Sequence, residues 1–145
     1  AGGDDALRNP IENAEDSKEA AKKDLQKANL TNKDFVIGIA ASGRTPYSIG
    51  AIEYARDIGA KTGSIACNKN AKISEYSDYP IEVETGAEVL SGSTRMKAGT
   101  ATKMVLNMIT TASMVLVGKT YKNYMVDLKA SNNKLKLRAE NKNKD

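Results

Sequence analysis

Asp34-Phe35-Val36-Ile37-Gly38-Ile39-Ala40-Ala41-Ser42-Gly43-Arg44-Thr45-Pro46-Tyr47 is the stretch whose reading decides the fold. Residues 34–40 are almost continuously apolar, the pattern of a strand covered on both faces in a parallel α/β sheet. Ala41 to Thr45 is then a short polar loop. Thr45 stands where a helix cap belongs, and Pro46 has the backbone angle suited to a first helical position. Tyr47, Ala51, Tyr54, Ala55 and Ile58 follow at helical spacing, and Gly59 stops the helix. A strand that feeds a helix through Ser42-Gly43-Arg44-Thr45 is also a place for an anion. Helix N-termini present free amides and a favourable dipole, Ser42 and Thr45 add hydroxyl donors, and Gly43 lets the backbone approach. The same residues also describe a plain strand-to-helix turn, and local pattern leaves both readings open. No Gly-Lys-Ser/Thr follows, so a nucleoside triphosphate is not implied.

Working outward, Thr62 to Cys67 reads as a second strand and Ile81-Glu82-Val83 as a third, which makes a βαβ unit with a right-handed crossover. Upstream, Asn9-Pro10 reads as a cap and first position of a helix running to Ala28, with Glu12, Glu15, Asp16 and Glu19 early in it to complement the dipole. Asn29 to Lys33 is a turn. Downstream, residues 88–95 form a loop before a long helix from Met96 to Val117. Met104, Val105, Met108, Ile109, Ala112 and Leu116 share one stripe of that helix, and Gly118 ends it. Residues 119–128 read as irregular. Ser131-Asn132-Asn133 caps a last helix through Glu140.

Composition narrows the chemistry. The chain has 145 residues, one Cys, no His, no Trp, one Phe and a net charge of +4. Without His there is no Ser-His-Asp catalysis and no His-ligated metal site, so proton transfer falls to Glu, Asp, Lys, Tyr or water. The single Cys67 cannot pair within the chain, which suits a reducing cytoplasm, and it reads as a small buried hydrophobe. Much of the positive excess lies in the Lys/Asn-rich tail from Asn132 to Asp145, a solvated end rather than a nucleic-acid surface. No apolar run is long enough for a bilayer, and Ala1-Gly2-Gly3-Asp4-Asp5 has no signal-peptide character.

A second loop, Leu90-Ser91-Gly92-Ser93-Thr94-Arg95-Met96-Lys97-Ala98-Gly99-Thr100, gathers four hydroxyls and two cations before the long helix. Ser91, Ser93 and Thr94 can donate to phosphate or sugar hydroxyls, and Lys97 can serve as a point charge or proton donor. Composition alone favours a hydroxyl-rich helix cap with solvated cations. The acidic residues Glu12, Glu15 and Asp16 read first as dipole partners, and spacing does not choose a catalytic base among them.

Gly38 to Tyr47 resembles the central loop of sugar-isomerase (SIS) domains, and among them the N-acetylmuramic acid 6-phosphate etherases. Three further segments carry the same resemblance in collinear order: Ala1-Gly2-Gly3 with residues 12–17, Glu88 to Thr100, and Gly118 to Leu128. The resemblance implies an α/β fold, a SIS-type three-layer sandwich with a mostly parallel sheet flanked by helices, over residues 1–130. Residues 131–145 would be a terminal helix and tail. It implies a lyase that cleaves the D-lactyl ether of N-acetylmuramic acid 6-phosphate to N-acetylglucosamine 6-phosphate and D-lactate, without metal or organic cofactor, as a cytoplasmic homodimer in cell-wall sugar recycling. Of the family's two acid/base glutamates, one matches Glu15. Ser42, Gly43, Arg44, Thr45, Ser91, Ser93, Thr94 and Lys97 fall on the sugar-phosphate side. The other glutamate follows an earlier glycine- and serine-rich loop with no counterpart here. The chain is therefore expected to begin after the domain's first strand and to be inactive alone. Ala87 stands where the family usually has Pro. A non-catalytic sugar-phosphate regulator, like the glucokinase regulatory protein of the same fold, and a phosphosugar isomerase are the alternatives. Neither nucleic acid nor membrane is expected as a partner.

Overall fold

In a computed structural model of the chain, the apolar run forms strand β1 (Phe35–Ile39). The structure describes residues 1–126, 129 and 131–141, with the side chains of 138–141 excepted. Parts of the expected irregular segment (Asp127, Leu128), Ala130 and the tail end at 142–145 lie outside the described residues. Internal contacts divide the chain into two units, residues 1–103 and 104–145.

The first unit is the α/β core. Helix α2 (Pro46–Asp57) carries the chain from β1 to β2 (Lys61–Ala66), and a 3₁₀ turn (Lys72–Tyr76) leads to β3 (Tyr79–Glu82). The sheet order is β1-β2-β3 and both pairs are parallel, with Ile39 opposite Ile65 and Ile65 opposite Ile81. The α/β class and the parallel sheet flanked by helices are as the sequence reading had them. The coverage of β1 is not. Phe35 and Ile39 are 52 % and 42 % exposed, whereas Thr62 to Ala66 of β2 are all buried. β2 is the central strand and is covered on both faces, while β1 is an edge of this three-stranded sheet. The core joins Ile49 and Ile52 of α2 to Ala40, Ala66, Ala71 and Ile73.

Helix α1 (Lys18–Lys27) begins eight residues later than Asn9-Pro10 suggested. Asn13 adopts a left-handed conformation (φ 59°), which Asn tolerates but which breaks a helix. Ser17 then caps α1 by accepting the Ala20 amide at 3.1 Å, satisfying a donor that an earlier start would have left inside the helix. The segment before it holds two short 3₁₀ turns, Asp4–Leu7 and Ala14–Asp16. α1 packs along α2. The Lys18 ammonium bonds both Glu53 carboxylate oxygens at 2.9 Å, and the Tyr47 hydroxyl donates to Asp24 at 2.8 Å.

Helix α3 (Lys97–Leu116) matches its expected span, with Gly118 beyond it at φ 75°. In the second unit its apolar stripe is largely uncovered: Val105 is buried, but Met104, Met108 and Leu116 are exposed. Residues 119–126, expected to be irregular, contain a two-stranded hairpin, β4 (Thr120–Tyr121) with β5 (Tyr124–Met125), turned by Lys122 at φ 51°. Helix α4 (Asn133–Asn141) is capped by Asn132, whose side chain accepts the Leu135 amide at 3.0 Å. Among the described residues no helix is long and apolar enough to cross a membrane.

Candidate functional site

The carboxyl end of β1 opens into a cavity of about 410 Å³, wholly within the first unit. Ligands of parallel α/β sheets bind at this edge. Ile39 to Ser42 form its floor, and Thr45, Tyr47 and Ser48 bring the start of α2 to it. Gly92 and Thr94 reach it from the second loop, and Glu15 comes from the 3₁₀ turn before α1. Thus Glu15, Ser42, Thr45 and Thr94, some 80 residues apart in sequence, meet around one space. Of Glu12, Glu15 and Asp16, only Glu15 lines it.

The helix end at this cavity is unfilled. Thr45 occupies the cap position of α2, yet its side chain accepts no bond from the first turn. Pro46 has no N–H, and the first-turn amides of Tyr47 and Ser48 have no acceptor within an α-helix. The first regular bond is Ile49 N–H to the Thr45 carbonyl, 3.2 Å. The Ser48 hydroxyl donates to the Ile39 carbonyl at 3.1 Å and so fixes α2 to the end of β1. Tyr47 lines the cavity while its hydroxyl is held on Asp24. Partial burial, reinforced by that carboxylate, pushes the Tyr47 phenol above its ordinary value, so it stays protonated and donating.

Gly43 shapes the loop from inside. Its N–H donates to the Ala40 carbonyl (2.8 Å), and its own carbonyl accepts the Ile73 amide (2.9 Å). With both groups engaged and φ at +69°, Gly43 sets the turn rather than offering a free donor. The Ser42 hydroxyl accepts weakly from the Arg44 amide at 3.3 Å. The turn sends Arg44 out of the cavity, into a neighbouring hollow with residues 68–72.

The second loop divides likewise. Thr94 lines the cavity; Ser91, Ser93 and Lys97 do not. The Ser93 hydroxyl accepts from Arg95 Nε at 3.1 Å, and Lys97 Nζ donates to the Ala87 carbonyl at 2.8 Å. The reason is Glu88, whose part the sequence reading missed. Its carboxylate accepts the amides of Lys97 (3.2 Å) and Ala98 (3.0 Å) and closes the start of α3. Donation by the Ala98 amide, with the Lys97 amide and ammonium adding, holds the Glu88 carboxyl below its ordinary value. Cys67 is buried, its sulfur 3.6 Å from both the Ala98 carbonyl and the Thr102 hydroxyl. Tyr47 and Ser48 were missed as cavity residues too, although their place in the first turn of α2 was the signal.

The SIS domain family model matches residues 9–112. The chain belongs to the SIS-domain family. It is 66 % identical over 140 residues to a protein of Geobacillus sp. (strain WCH70) named N-acetylmuramic acid 6-phosphate etherase, covering 97 % of this chain and 48 % of that one. Proteins of the same name in Geobacillus thermodenitrificans (strain NG80-2) and Exiguobacterium sp. (strain ATCC BAA-1283 / AT1b) are 64 % and 61 % identical over the same shares. The resemblance carried by the four segments is therefore a resemblance of nearly the whole chain. This SIS chain spans about half the length of the curated relatives it matches. Among solved structures, a protein of Clostridium difficile 630 described as a phosphosugar isomerase superposes with a TM-score of 0.58 at 26 % identity, over 77 % of this chain and 28 % of that one.

Proposed function

We propose that the protein to which this SIS domain belongs cleaves the D-lactyl ether of N-acetylmuramic acid 6-phosphate, giving N-acetylglucosamine 6-phosphate and D-lactate. The observation that carries this reading is the cavity itself, in which one carboxylate, Glu15, faces an uncapped helix start with two hydroxyls, Ser42 and Thr45. The relatives' printed name supplies the substrate. The phosphate sits at the start of α2, on first-turn amides and the Ser42 and Thr45 hydroxyls. Thr94, which lines the cavity, stands on the sugar side, while Ser91 and Ser93 of the same loop lie outside it and Gly43 shapes the first loop from behind.

The chemistry follows from the open-chain sugar. Its aldehyde acidifies the proton at C2, and Glu15 removes that proton or activates the water. The electron pair at C2 forms the C2–C3 double bond as the C3–oxygen bond breaks, and lactate leaves with a proton from an acid. Water then adds at C3 of the unsaturated aldehyde. No step needs a metal or an organic cofactor. We place this enzyme in the cytoplasm, as a homodimer acting in amino-sugar recycling; this rests on the family resemblance.

The test is lactate release from N-acetylmuramic acid 6-phosphate by the whole protein. Glu15→Gln keeps shape and removes charge, so turnover falls by at least about a hundredfold while binding of the sugar phosphate persists. Ser42→Ala acts in the opposite way, weakening binding by roughly threefold to tenfold for one lost hydroxyl donor. Unchanged affinity in that variant would remove the loop from the phosphate site. One observation keeps a binding-only, regulatory reading in view: among the described residues Glu15 is the single carboxylate lining the cavity. A wild-type protein that binds the ester and releases no lactate decides for that reading.

A further inference from the structure

The loops after β1 and β2 leave a second hollow at the same edge of the sheet, of about 330 Å³, lined by Ser42, Arg44 and residues 68–72. Ser42 also lines the Glu15 cavity, so the two spaces share a lining residue. The hollow is basic. Lys69 is paired with Glu84 at 2.7 Å, while the side chains of Arg44 and Lys72 make no hydrogen bond or ion pair among the described residues. Glu82 does not itself line the hollow, and its carboxylate is engaged by the amides of Asn70 and Ala71 and by the Ser74 hydroxyl, at 2.9, 2.9 and 2.6 Å. Two cations that are unpaired among the described residues therefore line a crevice at the ligand-binding edge of the sheet.

The Glu15 cavity has the converse character. Among the described residues no Lys or Arg side chain lines it, and its one charged side chain is a carboxylate. Uncharged donors and a helix end suit one anion there, but Glu15 repels a second. The substrate proposed above carries two anions, a phosphate and a lactyl carboxylate. We infer that the basic hollow holds the carboxylate of the ether-linked lactyl group, with the planar guanidinium of Arg44 forked on its two oxygens and Lys72 as a nearby point charge. The inference rests on the etherase reading and gives Arg44 a duty apart from the phosphate. It makes Arg44 the residue that distinguishes the lactyl ether from the same sugar phosphate without it.

The test compares two ligands by calorimetry, in whole protein carrying Glu15→Gln so that turnover is stopped. Adding Arg44→Gln weakens N-acetylmuramic acid 6-phosphate by roughly tenfold, the loss of one charge-assisted fork at an exposed site, and leaves N-acetylglucosamine 6-phosphate within about twofold. Lys72→Gln shifts affinities in the same direction by less, and added salt narrows the difference between the ligands. Equal losses for the two ligands would assign Arg44 to the phosphate and overturn the inference, as would no loss for either. Failure of the Glu15→Gln protein to bind either ligand defeats the etherase reading itself, before Arg44 is changed.

Discussion

Replacing Gly43 by Ala tests whether the loop conformation is imposed by packing. A Cβ built there stands 2.5 Å from the Ala71 Cβ, 3.2 Å from the Ala71 Cα and 3.5 Å from the Ala66 Cβ. Ordinary carbon–carbon contacts lie at about 3.5–4.0 Å, so the methyl enters occupied space. Neither side can slide freely. Gly43 is tied at both its N–H and its carbonyl, to Ala40 and Ile73, and the Ala71 amide is bonded to Glu82 at 2.9 Å. Two costs follow. A left-handed backbone costs an L-residue about 1–2 kcal/mol. Overpacking a tight core contact costs about 1–3 kcal/mol more. Their sum, about 2–5 kcal/mol, is a large part of the roughly 5–15 kcal/mol that holds a typical domain folded. Urea unfolding followed by circular dichroism reads the loss as a lower midpoint at constant slope. The costs can be separated. Ala71→Gly removes the atom at 2.5 Å but not the left-handed backbone, so the double variant is more stable than the sum of the singles by about 1–3 kcal/mol. A loss below about 1 kcal/mol in Gly43→Ala, or strict additivity, would refute the packing argument.

Two other variants test the frame around the site. In Gly50→Ala the new Cβ stands 2.7 Å from the Lys18 Cα, so α1 and α2 must separate. Alanine's helix propensity returns at most about 1 kcal/mol. The variant therefore unfolds at lower temperature than wild type, and a raised midpoint would show that the helices do not meet there. Glu88→Gln concerns pH. The Glu88 carboxyl is held below its ordinary value of 4.5, so its contribution is complete above that pH and is lost as pH falls through the lower folded value. The stability gap between wild type and Glu88→Gln is thus full at neutral pH and closes on acidification below 4.5; a gap constant across that range would mean that Glu88 does not cap α3 as a carboxylate.

What was legible in the sequence was what is local. The run at 35–39, the Thr45-Pro46 helix start and the glycines at 59 and 118 each announce themselves within a few residues, and these features delimit β1, α2 and the end of α3. Features that depend on distant partners were not legible. Asn9-Pro10 reads as a helix start, but the left-handed turn at Asn13 breaks the run and Ser17 caps α1 instead. The exposure of Phe35 follows from strand order, which periodicity does not contain. Lys97 looked like a free cation until Glu88 and Ala87, nine and ten residues earlier, were seen to hold its amide and its ammonium. Gly43 looked like a means of approach to a ligand, and its nearest neighbour turns out to be Ala71. Spacing could not choose among Glu12, Glu15 and Asp16. The family resemblance singled out Glu15, and it is the one that the fold turns to the cavity.

The starts of α2 and α3 are the ground for proposing the phosphate site at α2 and not at α3. Both follow loops rich in hydroxyls, and both carry the partial positive charge of a helix N-terminus. At α3 that charge is already answered: Glu88 sits on the amides of Lys97 and Ala98, an internal carboxylate where a phosphate would otherwise go. A second anion there would meet a like charge and find two of the donors taken. At α2 no side chain among the described residues caps the first turn, although Thr45 is of the residue type and at the position to do so. Leaving a cap unmade costs stability of about 1 kcal/mol. A ligand anion that supplies the missing acceptor recovers that cost only on binding, so the open end adds to affinity rather than to folding. The same division sorts the hydroxyls. Ser42 and Thr45 stand at the open end, Ser93 is engaged by Arg95 beside the closed one, and Thr94 is the one hydroxyl of its loop that lines the cavity.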